Sequence, residues 1–436
     1  MKRISLLALA VGLSLFALPN AARAQFLFVD CSGTNPFAYP NINSALPNAG
    51  PGAFIAVTGT CNENVTLYDV NNLTLGAFFG QTANLIGQLT IISSHLVYVY
   101  GLNVTNPSGE GVYVQTSSVV LDTFSSSGNA GHGLHVTQSS DVTINAMGTF
   151  NGNQGYGIYT DANSFTYIVS WAGSTDISNN QTAALWIDRA TLITLGNTHM
   201  AGNAQLAVDM RGGGKALMFS VFGPPANPNV IENNPNGGVS LQENSEISIG
   251  SLLSIGPNII RNNGPFGIEA GFGSQVTLVG ALITGHTGPG VDIYAHSQLY
   301  GTSQLPGLGP TQIQNNGTAG DPLSAAIRVD GNSEALLRGA NIAKNNGPAI
   351  LVLVNSSADF AGETFSGNTG IITCDSTSTM VSDLSTVAST PASGVSCPIA
   401  HRLGNRAINV HTPAVPDITS WKAMHSRYQQ RSSAQK

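Results

Sequence analysis

The sequence predicts an all-β chain, a right-handed parallel β-helix solenoid of roughly thirteen coils. Three observations carry this. A motif of Asn, Gly and apolar residues returns at intervals of roughly 21 to 36 residues, the mark of one small unit stacked on itself. Its clearest copies are GNAGHGLHV (128–136), GNQGYGIYT (152–160), NNPNGGVSL (233–241), NNGPFGIEA (262–270) and NNGPAILVL (345–353). Within each copy apolar residues alternate with period two, which is a strand signal. Gly, Asn and Ser punctuate the copies as turn residues.

Residues 1–24 read as a secretory signal. Lys2 and Arg3 precede an apolar stretch from Leu6 to Leu18, and Ala22-Arg23-Ala24 forms a small-residue cleavage site before Gln25. No later run reaches about 18 apolar residues, so no membrane span is expected. Residues 25–50 form an N-terminal cap and residues 51–375 the solenoid. The first inward residue of each coil is Val65, Leu89, Val112, Leu134, Ile158, Leu185, Val208, Val239, Ile268, Val291, Ile327, Ile350 and Ile371 in turn. A second small or apolar residue follows two positions later, from Leu67 to Thr373. One such unit cannot bury its apolar face alone, whereas stacked copies pair in parallel about 4.8 Å apart, and parallel crossovers are almost always right-handed. Asn129, Asn153, Asn180, Asn203, Asn234, Asn263 and Asn345 each stand five residues before the first inward residue. They predict a turn ladder of stacked amides, with His286 taking the place in one coil.

Four cysteines fall in two local pairs, Cys31/Cys61 and Cys374/Cys397, expected as disulfides at the two ends of the stack. Residues 376–400 are a Ser/Thr-rich linker ending in the second pair, and residues 401–436 a basic tail in which Trp421, Met424 and Tyr428 have helical spacing. Residues 25–400 carry 22 acidic and 7 basic side chains. That acidic body argues against a nucleic-acid partner. No phosphate-loop, dinucleotide, zinc or nucleophile-elbow motif is present.

The repeat and the stretch INSALPNAGPGAFIAVTGTCNENVTL (42–67) resemble the pectate-lyase-like superfamily of right-handed β-helix proteins, over roughly residues 50–375. That superfamily holds lyases, hydrolases, epimerases and proteins without known activity, so the resemblance implies the fold and leaves the function open. Gly131-His132-Gly133 matches the polygalacturonase tripeptide, yet the companion Asn-Thr-Asp, Asp-Asp and Arg-Ile-Lys segments are missing. His132 and His135 are therefore assigned to structure.

The residue between each pair of inward positions must point outward. One outward row reads Tyr113, His135, Tyr159, Trp186, Asp209, Ser240, Glu269, Asp292, Arg328, and the next includes Asp161, Asp188, Arg211, Tyr294 and Asp330. Tyr113, Tyr159 and Trp186, with Arg211, are the candidate substrate-binding residues, because flat rings along a groove suit sugar faces. Asp209, Glu269, Asp292 and Arg328 are the candidate catalytic residues: paired carboxylates serve glycoside hydrolysis, and an Arg can neutralise developing charge in a polysaccharide lyase or epimerase. Asp161 and Asp188 are the candidate metal ligands, with Ca²⁺ the ion that suits oxygen donors. The copies lengthen between Val208 and Ile327 through GPPANPN (223–229) and GTSQLPGLGP (301–310), loops expected beside the acids. Two functions follow: an exported protein that binds, and in one version cleaves or epimerises, an extracellular polysaccharide or cell-surface glycan; or a non-catalytic, adhesin-like surface solenoid.

Overall fold

The computed structural model describes residues 25–79, 81, 83–170, 172–220, 228–251, 257–302, 309–321, 323–382 and 399–401. All fall within one compact unit that ends at His401. The expected signal, the basic tail beyond His401, Cys397 and most of the linker lie outside the described residues. Among the described residues no helix is long and apolar enough to cross a membrane.

The chain is a parallel β-solenoid of about fourteen turns. Thirteen short strands, one per coil from Val65–Tyr68 to Gly370–Cys374, form one continuous parallel sheet, here called the site sheet. The other strands of each coil form the remaining faces, as Thr191–Thr194 and Thr198–Ala201 do after Leu185–Asp188. These faces are hydrogen-bonded into one sheet because long strands bend around the corner between them. Phe54–Asn62, for example, pairs with both Thr74–Ala77 and Ala83–Ile86.

The expected register holds for twelve of the thirteen coils, with Leu134 beside Ile158, Ile158 beside Leu185 and Val291 beside Ile327. These residues are fully enclosed, and each such side chain contributes roughly 1.5–3 kcal/mol of burial. Thr160, the polar exception among the inward residues, shares a 2.8 Å hydrogen bond with Thr166. The last coil corrects the expectation. Ile350 pairs with Ile372, not Ile371, and Thr373 is exposed. Asn368 occupies the ladder here, so the turn to the strand is one residue shorter than in the other copies. With two isoleucines in succession, alternation alone did not choose between them.

The amide ladder forms as expected. Asn129, Asn153, Asn180, Asn203 and Asn234 each donate from Nδ2 to Oδ1 of the next Asn at 2.7–3.0 Å, ending on Asn263. Asn316 and Asn345 resume it beyond His286. The left-handed backbone falls one residue earlier, on Gly128, Gly152, Asn179, Gly202, Asn233, Asn262 and Gly285. This explains the recurring Gly-Asn and Asn-Asn pairs: the first residue turns the chain and the second builds the ladder. Gly133 is also required, since a Cβ there would lie 2.6 Å from Gly157 O and 2.8 Å from Asn153 Nδ2. A second ladder was not anticipated. Ser117 Oγ accepts from Ser94 N, Ser140 Oγ from Ser117 N and Ser164 Oγ from Ser140 N, and the pattern returns from Ser245 to Ser378.

At the N-terminus, Asn41 caps the short helix Ile42–Ala45, and Glu63 accepts from the amides of Ile42 and Asn43. Cys31 and Cys61 are joined by a disulfide. Cys374 is also oxidised.

Candidate functional site

The outward row runs in register across the site sheet. Tyr113, His135, Tyr159, Trp186, Asp209, Ser240, Glu269, Asp292 and Arg328 are direct neighbours on successive strands. Asp161, Asp188 and Arg211 are neighbours in the next row.

The structure adds a row that alternation did not reveal, two residues ahead of the first inward position, where the chain is still turning. It includes Glu110, His132, Tyr156, Leu206 and Phe266. Its aromatic members complete a platform. The Tyr159 and Trp186 rings are parallel within 3° with centroids 6.0 Å apart, and His132 stacks on Tyr159 at 5.0 Å. Tyr156 bridges His132 and Trp186, while His135 stands edge-on between Tyr113 and Tyr159. Arg211 lies 5.2 Å over the Trp186 ring. The two histidines are thus members of the platform. Their polar contacts are specific: Tyr156 N donates to His132 Nδ1 at 3.0 Å, and His135 Nδ1 pairs with Glu110 Oε1 at 3.0 Å. Burial lowers the His132 pKa and raises those of Tyr113, Tyr156 and Tyr159.

The four expected catalytic residues are not equivalent. Arg328 grips Asp292 through Nε and Nη2, both at 2.8 Å. Burial nevertheless pushes Asp292 up to about 6, with Glu269 adding and Arg328 opposing. Arg211 Nε holds Asp209 Oδ1 at 3.3 Å, and burial of Asp209 outweighs that pairing to raise its pKa. Glu269 has hydroxyl partners in place of a guanidinium. Ser240 Oγ donates to Oε2 at 3.4 Å, and Tyr294 also bonds it. Burial raises the Glu269 pKa, and the two hydroxyls pull it the other way. Gln242 Nε2 donates to the Tyr294 hydroxyl at 2.9 Å, fixing that ring. Asp209, Arg211, Ser240 and Glu269 line an open cleft of about 510 Å³, with Leu206 and Phe266 on one flank. Asp292 and Arg328 lie just beyond it.

Asp161 and Asp188 are register partners on adjacent strands. Asp188 is paired with Arg189 at 3.0 Å. The one group of three His, Cys, Asp or Glu whose donor atoms converge among the described residues is Cys31, Cys61 and Glu63, and its sulfurs are committed to the disulfide. The long insertions GPPANPN (223–229) and GTSQLPGLGP (301–310) fall mostly outside the described residues. A different insertion, residues 317–324, leads directly into the strand Ile327–Val329 and brings Asp321 within electrostatic reach of Arg328.

No protein-family model matches the chain, and no curated protein matches it in sequence. Solved structures do. The AlgE4 mannuronan C-5 epimerase A-module of Azotobacter vinelandii aligns at 14% identity and TM-score 0.42, over 77% of this chain and 91% of that one. The AlgE6 A-module of the same organism aligns at 13% identity and TM-score 0.37, over 84% and 90%. The pectate lyase Pel9A aligns at 11% identity and TM-score 0.31, over 79% of each. These are likenesses of fold.

Proposed function

We propose that this is an exported β-helix protein that binds an extracellular polysaccharide along the axis of its site sheet. The observation that carries the reading is the parallel stack of Tyr159 and Trp186 on adjacent strands, extended by His132, His135 and Tyr113. Flat rings repeated along a groove match successive sugar rings, and the phenol tips can bond hydroxyls. Beyond the platform the chain would enter the cleft at Asp209, Arg211 and Glu269. There Glu269 is the acid available for proton transfer, with Tyr294 beside it, while Arg328 and Arg211 answer negative charge. Cleavage or epimerisation is the catalytic form of this proposal. Asp161 and Asp188 are its proposed Ca²⁺ contacts; two carboxylates fall short of the six to eight oxygens Ca²⁺ takes, so the glycan or water would supply the rest.

One observation favours the second reading, an adhesin-like solenoid without turnover: two of the three acids are already held by arginines. The deciding experiment incubates the protein with neutral and uronic-acid polysaccharides, with and without Ca²⁺, and follows binding together with products by mass spectrometry and uronate configuration by proton NMR. New oligosaccharides or altered uronate configuration that disappear in Glu269→Gln establish an enzyme. Binding without products establishes the adhesin-like reading, and absence of both ends the polysaccharide proposal.

A further inference from the structure

We infer that the glycan taken by the aromatic platform is a polymer of positively charged amino sugars, that is, de-N-acetylated hexosamine. This rests on the polysaccharide reading above and adds the charge of the ligand. The first argument is what the face lacks. Its guanidiniums are engaged: Arg189 by Asp188, Arg211 by Asp209 and Arg328 by Asp292. A uronate carboxylate would compete for these cations with Asp209 and Asp292, both buried. The second is what the face offers. The platform is bordered by Glu110 on one side and Asp161 on the other, and ring faces themselves attract ammonium groups. Both carboxylates are partly exposed, Glu110 over 25% and Asp161 over 18% of the side chain. A sugar ammonium brings three donors and no acceptor. The third is the field of the whole body, 22 acidic against 7 basic residues from 25 to 400, which repels polyanions and steers polycations inward. A lysine-rich peptide shares that charge, but the flat rings repeating at strand spacing favour pyranose rings.

The test is calorimetric titration of the full chain at about pH 6 with hexamers of glucosamine, N-acetylglucosamine, glucose and galacturonate, and with hexalysine. The expected order places the glucosamine hexamer about tenfold tighter than the N-acetylated and neutral hexamers, with galacturonate weakest. Asp161→Asn and Glu110→Gln should each weaken the glucosamine hexamer about fivefold at an unaltered melting temperature, and Glu110→Gln should leave the neutral hexamers unchanged. Equal or tighter binding of galacturonate, or of the neutral hexamers, overturns the inference and leaves the polysaccharide reading standing. Hexalysine binding as tightly as the glucosamine hexamer also overturns it, as plain charge attraction. If no sugar hexamer binds, the polysaccharide reading falls and takes this inference with it.

Discussion

Trp186 is the residue at which the two halves of the site meet. Its ring runs parallel to that of Tyr159, and Arg211, which in turn holds Asp209, lies over it. Trp186→Ala should therefore weaken glycan binding by about tenfold or more while preserving the fold, because Trp186 lies on the outer face. Titration alongside a melting curve checks both. His286 gives a second prediction. It occupies the amide ladder, buried, with its ring nitrogens 3.2 Å from the carbonyls of Asn263 and Ile260. Burial holds its pKa down at about 4. The unfolded chain binds the proton near pH 6.5 and the folded chain near 4, so acid favours unfolding through that window. Stability is present in full above about pH 6.5 and falls by up to about 3 kcal/mol by pH 4. His286→Asn restores the ladder amide and should flatten that limb. Urea melts of both proteins across the window measure it, and parallel curves would show that His286 is not the titrating group.

At the scale of elements, each ladder asparagine is a junction. Asn180 donates to Asn203 Oδ1 at 3.0 Å and Phe150 O at 3.1 Å, and accepts from Asn153 Nδ2 and N at 2.9 and 3.0 Å. Asn180→Ala strands buried donors on Asn153 and a carbonyl on Phe150, and should cost about 3 kcal/mol in chemical denaturation. This ladder and the strand register were legible because they depend on spacing, and spacing survives in one dimension. Val208 and Ile268 announced themselves by alternation, and Asp209 and Glu269 by falling between inward residues. Tyr156, His132 and Glu110 did not, because they sit in the turn before the strand, where no periodicity assigns a direction. The serine ladder was hidden for the same reason. The pairing of Asp292 with Arg328 on the next strand, and of Asp209 with Arg211 two residues along its own strand, separates Glu269 from the other acids and is set by side-chain reach.

At the scale of the whole molecule, a solenoid has no single core to fail: each coil is held by its two neighbours, so the ends are the weak points. The Cys31–Cys61 disulfide addresses one of them. Strand Phe26–Asp30 pairs along its length with Phe54–Thr58 alone, its other edge touched by Tyr39, whereas an interior strand has a parallel neighbour on both sides. The bridge closes a loop of 30 residues and ties that end strand to Phe54–Asn62. Removing it with Cys31→Ser and Cys61→Ser should cost about 3 kcal/mol, confined to the end coil. Hydrogen exchange distinguishes this from a global effect. Amides of Leu27–Asp30 and Phe54–Thr58 should lose protection, while those of Leu185–Asp188 and Ile268–Ala270 keep it, because the interior coils neither contact the bridge nor share its loop. Loss of protection spread evenly along the stack would mean that the coils unfold as one cooperative unit, contrary to nearest-neighbour stability. The candidate glycan face gives the distinction a functional consequence. Its platform begins at Tyr113, two coils on from the bridge, so the doubly substituted protein should bind glycan with unchanged affinity even as its first coil frays.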